Sequence, residues 1–218
     1  MFSFAELAAA PDPPLGTLAL ALAAEFRDVD AVEAVAALDD LGVELADAAA
    51  RTSKTPLAQA QACAGLLGAT YGFAGDSEQY DHPDNSMLDL VLARRRGLPI
   101  LLSVVYVEVA RRAGIPFAGV GLAGHFVVGH FGVTPPLLLD PFAGGGVVDP
   151  DVDSSVLRPW SAHEIALRML NNLVAAYGRR ADLGAAIHGA ELRLALPAQA
   201  ALREHLEIEL RSMRARLN

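Results

Sequence analysis

The sequence contains little cysteine and lysine and no long apolar run. These shortages exclude certain classes of protein and certain kinds of site. Cys63 is the only cysteine, which excludes an internal disulfide and a metal site built from several thiolates. No segment approaches the about 18 consecutive apolar residues of a membrane-spanning helix. The N-terminal segment lacks the basic leader and apolar core of a secretory signal. We therefore expect a cytoplasmic location and no membrane partner.

Charge and composition exclude two further classes. The 218 residues carry 17 basic and 26 acidic side chains, a formal net charge of −9, which argues against nucleic acid as a partner. Lys54 is the only lysine, and the one basic run is Arg94 to Arg96. Hydrophobic residues make up 53% of the chain and charged residues 20%, so a packed interior is expected rather than disorder.

The first third of the chain predicts helices. Alanine and leucine recur at helical spacing from residue 15 to residue 72, with proline and glycine beside the runs. A polar, turn-rich stretch follows from Gly75 to Asn85. In the next run, SMLDLVLARRR, Asn85 or Ser86 can cap a helix, and Ser86 with Asp89 has the spacing of a capping box.

The apolar run PILLSVVYVEVARRAGIP predicts a central helix. Gly97 ends the preceding helix, and Pro99 can occupy the first turn of the new one. The run has no polar face before Glu108, and a helix of this kind usually lies in the buried centre of a domain. Gly114 and Pro116 end it.

The pattern then changes to strands and returns to helix. The runs FAGVGLAGHFVVGHFG and PLLLDPF are short and rich in β-branched or aromatic residues, which predicts a small antiparallel sheet. Residues 144–160 are predicted as a loop. From Ser161, which has Glu164 at capping-box spacing, two or three amphipathic helices follow. The predicted fold class is α+β.

His125 and Asp140 form the candidate site. His125 lies at the start of an apolar strand, and Asp140 ends the next strand, where Pro141 fixes it. Antiparallel pairing would bring the two side chains together, and a carboxylate that accepts the imidazole Nδ1–H would orient the ring as a base. The residues alone leave open a purely structural pair that ties two strands together.

Four runs carry a family resemblance. They are GFAGDSEQYDHPDNSMLDLVLARRRGLPILLSVVYVEVARRAGIP, GVGLAGHFVV, LLLDPFAGG and, in the tail, LRMLNNLVAAYGRRADLGAAIHGAELRLALP. The first three resemble the SirB-type transglutaminase-like family, and the last resembles one tetratricopeptide-like helical pair with part of a next. The resemblance implies a transglutaminase/papain-like core at residues 73–160, a helical region at 1–72 packed on it, and a tetratricopeptide-like tail at 161–218.

The resemblance also implies roles for single residues. His125 falls where these enzymes place the general base, and Asp140 where they place its orienting carboxylate. The nucleophilic cysteine should open the central helix, where the helix dipole and an imidazolium lower a thiol pKa. The residues there are Leu98, Pro99 and Ile100, and none is a nucleophile.

Two other residues could replace the missing thiol. Ser103 lies one turn further along the helix, displaced by about 6 Å along its axis. Alternatively, Ser103 is a buried structural residue whose hydroxyl donates a hydrogen bond to the backbone carbonyl four residues back. Cys63 belongs to an early alanine-rich helix and is interpreted as a packing residue.

The remaining polar residues suggest binding more than catalysis. Tyr80 and Asn85 in the polar stretch, and Phe126 beside His125, are candidate binding residues, although turn chemistry alone explains such a loop. His130 should point away from His125 and towards the surface, which disfavours a metal site with Asp140.

The glycine run at residues 144–146 lacks the context of a phosphate loop, and Trp160 should anchor the tail. The leading hypothesis is a transglutaminase-like pseudoenzyme of bacterial type. It would need no cofactor and would bind an unknown protein or peptide. The alternative is a hydrolase or acyltransferase that uses Ser103, His125 and Asp140.

Overall fold

A computed structural model of the chain describes residues 2–149 and 153–216. It confirms the α+β class. Its helices are α1 (Phe4–Ala9), α2 (Leu15–Ala24), α3 (Ala31–Ala50), α4 (Pro56–Cys63), α5 (Leu88–Arg94), α6 (Pro99–Arg112), α7 (Ala162–Arg179), α8 (Leu183–Arg193) and α9 (Ala200–Ala215). Its strands are β1 (Ala74–Gly75), β2 (Arg96–Gly97), β3 (Phe117–Leu122), β4 (His125–His130), β5 (Leu137–Asp140) and β6 (Gly146–Val148).

The N-terminal helices agree with the prediction, with two additions. Before the predicted helical region, α1 forms behind a capping box in which Ser3 and Glu6 satisfy each other's backbone N–H groups. After α4 the chain continues in a π-helical segment, Ala64–Thr70. Buried leucines of α2 and α3, with Phe4, belong to the main core.

The sheet has the order β3-β4-β5-β6, and every neighbouring pair is antiparallel. β6 lies inside the stretch predicted as loop, so that part of the prediction is wrong. Val147 pairs with Leu139 and Val148 with Leu138, which adds a short edge strand. The prediction also missed the parallel pair β1–β2, because strands of two residues leave no period in a sequence.

The helix α6 is the buried centre of the domain, as the apolar run predicts. It packs against α3 on one side and against β3 and β4 on the other. Leu101, Val105 and Tyr106 are completely buried in it. On the sheet, Phe126 and Val128 belong to the same core as α6, and a second cluster covers the opposite face.

A buried carboxylate ties the end of α6 to two N-terminal helices. Glu108 accepts a hydrogen bond from the backbone N–H of Gly16 at 3.1 Å and pairs with Arg112 at 2.5 Å and Arg111 at 3.1 Å. Arg112 reaches on to Asp39 of α3 at 2.6 Å. A Cβ on Gly16 would lie 2.9 Å from the Glu108 carboxylate, so glycine gives it this close approach.

One predicted cap is absent and another is confirmed. α5 begins after Met87 with no side-chain cap, and the buried Ser86 hydroxyl has no hydrogen-bond partner among the described residues, so the predicted cap at Asn85 or Ser86 is wrong. Ser161 and Glu164 do form the capping box that starts α7. A hydrogen bond from Arg158 holds the pKa of Glu164 at about 2.

The tail contains three helices in the described residues, and its first helix belongs to the core. Ile165, Met169, Leu170 and Leu173 of α7 are buried in the main core. α8 packs on α7, and α9 packs on α8 over a small separate cluster. No helix in residues 2–149 and 153–216 is long and apolar enough to cross a membrane.

Replacing Tyr106 by phenylalanine should leave the free energy of unfolding within about 0.5 kcal/mol of the parent or raise it slightly. The Tyr106 hydroxyl is buried and has no hydrogen-bond partner among the described residues, and burial raises its pKa. Removing an unpaired hydroxyl removes its desolvation cost. Urea unfolding measures the change.

The matched control is Tyr71→Phe, which removes an exposed hydroxyl that donates to Glu44 at 2.6 Å and should cost less than about 1 kcal/mol. A loss above about 1.5 kcal/mol in Tyr106→Phe would mean that this hydroxyl has a partner and would contradict the prediction.

Candidate functional site

The structure brings His125 and Asp140 together across two neighbouring strands. Val128 pairs with Leu139, so the register places Asp140 opposite Val127 and on the same face as His125. The His125 Nε2 atom lies 2.9 Å from Asp140 Oδ2. The bond uses Nε2, so the expected bond from Nδ1 is wrong. Because a carboxylate only accepts hydrogen bonds, Nε2 carries the hydrogen.

Asp140 is itself held in place. Its Oδ1 atom accepts the backbone N–H of Phe142 at 2.9 Å and that of Ala143 at 3.4 Å, so the carboxylate caps the short 3₁₀ turn that follows β5. Gly145, at φ +86°, returns its N–H to the Asp140 carbonyl at 2.7 Å. The His125 side chain is 33% exposed, and its Nδ1 makes no hydrogen bond with any described residue.

Aromatic rings line one side of the pair. The Phe142 ring meets the His125 ring edge-on at 6.4 Å, and Tyr80 meets Phe142 edge-on at 5.8 Å. A Cβ on Gly75 would lie 2.3 Å from the Phe142 ring, so glycine in β1 makes room for that ring. Tyr80 also lines a polar cavity of about 470 Å³ against Arg179 and other residues of α7.

A tryptophan and an arginine pack against Phe126, on the face of β4 opposite the His125 side chain. Trp160 packs edge-on against Phe126 at 5.3 Å, and its backbone N–H donates to the Gly119 carbonyl at 2.9 Å, which agrees with its expected anchoring role. Arg168 of α7 donates from Nη2 to the His125 carbonyl at 3.2 Å. Arg168 was not predicted, because nothing in the sequence of an amphipathic helix indicates which arginine contacts a distant strand.

The start of α6 carries no nucleophile. Leu98 is its N-cap and Pro99 its first residue, as predicted. Ser103, further along the helix, is completely buried, and its hydroxyl has no hydrogen-bond partner among the described residues. The expected bond to the carbonyl four residues back is therefore wrong, and no bond joins Ser103 to His125.

The single thiol lies in the core. Cys63 is completely buried among the main-core residues. Burial raises its pKa far above the ordinary value, which disfavours the thiolate that acts as a nucleophile. The packing role expected for Cys63 agrees with this position.

His130 is buried, so its predicted surface position is wrong. It does lie on the opposite face of β4 from His125, but that face packs on the helices. His130 Nε2 bonds to Gln59 Oε1 of α4 at 2.8 Å, and its Nδ1 accepts the Gly132 N–H at 3.1 Å. Within residues 2–149 and 153–216, no group of three or more His, Cys, Asp or Glu side chains could hold a metal ion.

The other candidate binding residues lie at different depths. Asn85 is completely buried, and its Nδ2 donates to Gln79 O at 2.7 Å and to Asp76 Oδ2 at 3.2 Å. Phe126 is buried on the face opposite His125, against Trp160. Tyr80 is the exposed member of the set.

The chain is similar in sequence to proteins of one superfamily. A family model described as the Transglutaminase-like superfamily matches residues 32–171. A UPF0162 protein of Xylella fastidiosa strain 9a5c is 42% identical over 94 residues, which are 43% of this chain and 34% of that protein. A UPF0162 protein of Vibrio cholerae is 32% identical over 75 residues, 34% of this chain and 28% of that protein.

A shorter match reaches a eukaryotic protein. The F-box only protein 21 of Mus musculus is 38% identical over 56 residues, 26% of this chain and 9% of that protein. The chain thus matches about a third of the length of the first of these bacterial relatives. No solved structure matches the chain.

Proposed function

The chain belongs to the transglutaminase-like superfamily, and from this premise we propose that it lacks thiol catalysis and acts as a binding or regulatory module. The proposed site is the His125–Asp140 pair with the aromatic residues beside it. We further propose that the chain is of SirB type and that α7 to α9 form a tetratricopeptide-like tail with a second surface for a protein or peptide.

One observation carries the proposal. His125 and Asp140 form the orienting half of a nucleophilic triad, with Nε2 bonded to the carboxylate at 2.9 Å and Nδ1 left without a described partner. The helix start that should supply the attacking group offers Leu98 and Pro99. The only thiol, Cys63, is buried and disfavoured as a thiolate. An oriented base without a nucleophile favours recognition over acyl transfer.

The alternative is a hydrolase or acyltransferase that uses the Ser103 hydroxyl. Nucleophilic attack needs that oxygen within about 3.2 Å of an imidazole nitrogen, or loosely so before substrate binds. The Ser103 hydroxyl is buried without any described partner, so the geometry gives this alternative no support.

Activity assays on the purified chain test the proposal. Amine incorporation, deamidation and peptide hydrolysis should all stay at background for the parent, for His125→Ala and for Ser103→Ala, because no described nucleophile is positioned. An active transglutaminase run in parallel verifies each assay. Circular dichroism verifies that the variants are folded.

Turnover that His125→Ala abolishes in a folded variant would contradict the proposal. The serine variant then identifies the nucleophile, since loss of that turnover in Ser103→Ala would establish the hydroxyl mechanism.

A further inference from the structure

The π-helical segment after α4 lies directly behind the turn that carries Asp140. π-helical turns are rare and occur frequently at functional sites. A Cβ on Gly68 of this segment would overlap the carbonyl oxygen of Gly144 and lie 2.8 Å from its carbonyl carbon, so the two backbones touch with no side chain between them. A Cβ on Gly145 would lie 3.2 Å from the Cα atom of Ala64, in the same segment. The segment therefore supports the turn through close backbone contacts.

The supported turn holds the Asp140 carboxylate in its orientation. Asp140 Oδ1 accepts the Ala143 N–H at 3.4 Å, and the Asp140 carbonyl accepts the Gly145 N–H at 2.7 Å. The second carboxylate oxygen, Oδ2, meets His125 Nε2 at 2.9 Å. Gly144 stands in the chain between these two donors, so a displacement of Gly144 moves both of the N–H groups that hold Asp140.

We propose that Gly68 is a positioning residue of the His125–Asp140 site. The inference rests on the proposed function, because it concerns the same site, and it adds an element outside the sheet that sets the geometry of the pair. A methyl group at position 68 would meet backbone rather than the end of a flexible side chain, so no change of rotamer makes room for it. Since packed interiors transmit such displacements, the turn must move and take Asp140 with it.

NMR of the His125 ring nitrogens tests the inference. Their chemical shifts report which nitrogen carries the proton and whether that N–H is hydrogen-bonded. His125→Ala assigns the signals, and Asp140→Ala gives the shifts of a ring that has lost the carboxylate. The signals of Gly68→Ala should move from the parent values towards those of Asp140→Ala. A purely structural role of Gly68 would lower stability without moving the His125 signals of the folded variant.

Gly65→Ala is the matched control. Gly65 lies in the same π-helical segment, is exposed, and a Cβ there would meet no described atom within 4 Å. The variant adds the same methyl group to the same segment without the contact to the turn, so its His125 signals should equal those of the parent. Equal shifts in Gly65→Ala and Gly68→Ala would overturn the inference, as would parent-like His125 signals in folded Gly68→Ala.

A measurement on the parent remains decisive if Gly68→Ala does not fold. The Gly145 amide proton should exchange with solvent at least about tenfold more slowly than in an unstructured chain, because the supported turn keeps its bond to the Asp140 carbonyl closed. Unprotected exchange there would overturn the inference, since the turn would then not be held. These readouts need no turnover, so their failure is separate from that of the proposed function, which His125-dependent turnover would contradict.

Discussion

Replacing Glu108 by alanine is expected to lower the free energy of unfolding by about 3–5 kcal/mol, the range measured when one partner of a buried ion pair is removed. Only 4% of the Glu108 side chain is exposed. The variant leaves the Arg112 guanidinium with Asp39 as its remaining acidic partner and deprives the Gly16 N–H of its acceptor. Chemical denaturation at neutral pH measures the loss.

Two further variants separate the effect of the negative charge of Glu108 from the effect of its buried position. Glu108→Gln keeps an acceptor for Gly16 but removes the negative charge, so we expect a smaller loss than with alanine. Glu204→Ala makes the same change on the exposed helix α9 and should cost less than about 0.5 kcal/mol. If Glu108→Ala and Glu204→Ala are equally mild, the buried network does not stabilise the fold.

Replacing His130 by alanine is expected to cost about 3 kcal/mol at pH 8, because the buried ring leaves a cavity and two hydrogen bonds are lost. The bond to Gln59 joins the end of β4 to α4, and the bond to Gly132 joins it to the turn after the strand. Since Nδ1 accepts the Gly132 N–H, the folded protein needs the neutral imidazole.

The same residue should make stability depend on pH. Burial lowers the pKa of His130 below its ordinary value of 6.5, although a backbone hydrogen bond acts in the opposite direction. The unfolded chain therefore binds a proton at a higher pH than the folded protein does. The stabilisation by His130 is complete above about pH 6.5 and decreases as the pH falls below it towards the lowered pKa.

Comparing the parent with His130→Ala isolates this effect from the other histidines. The difference in unfolding free energy between the two proteins should be largest at pH 8 and clearly smaller at pH 5. A difference that is equal at the two pH values would show that His130 keeps the same charge state in the folded and unfolded chains.

The sequence predicted the candidate pair but not its details. His125 and Asp140 each adjoin an apolar strand, and antiparallel pairing of neighbouring strands was enough to bring them together. The identity of the bonded nitrogen depends on the orientation of the His125 ring relative to the carboxylate, which the backbone N–H groups of Phe142 and Ala143 hold in place. Arg168 bonds to the His125 carbonyl from a position 43 residues later in the chain, so no local pattern includes this contact.

The wrong predictions concern features that depend on how segments of the chain pack together. His130 was placed at the surface because strand alternation gives opposite faces without telling which face is covered. The predicted cap at Ser86 failed because the chain forms a 3₁₀ turn, Pro83–Ser86, and the helix begins one residue later than the spacing implied. The edge strand β6 formed in a predicted loop because Val147 and Val148 found partners in β5.

By itself the sequence determined most of the helices, the central buried position of α6 and the lack of a nucleophile at its start, because periodicity, helix breakers and residue identity are local properties. Only the tertiary structure decided which face of β4 is covered, which imidazole nitrogen meets Asp140, and that Arg168 lies beside His125. These features depend on contacts between segments far apart in the chain, where burial and hydrogen-bond geometry select one arrangement among several that local patterns allow.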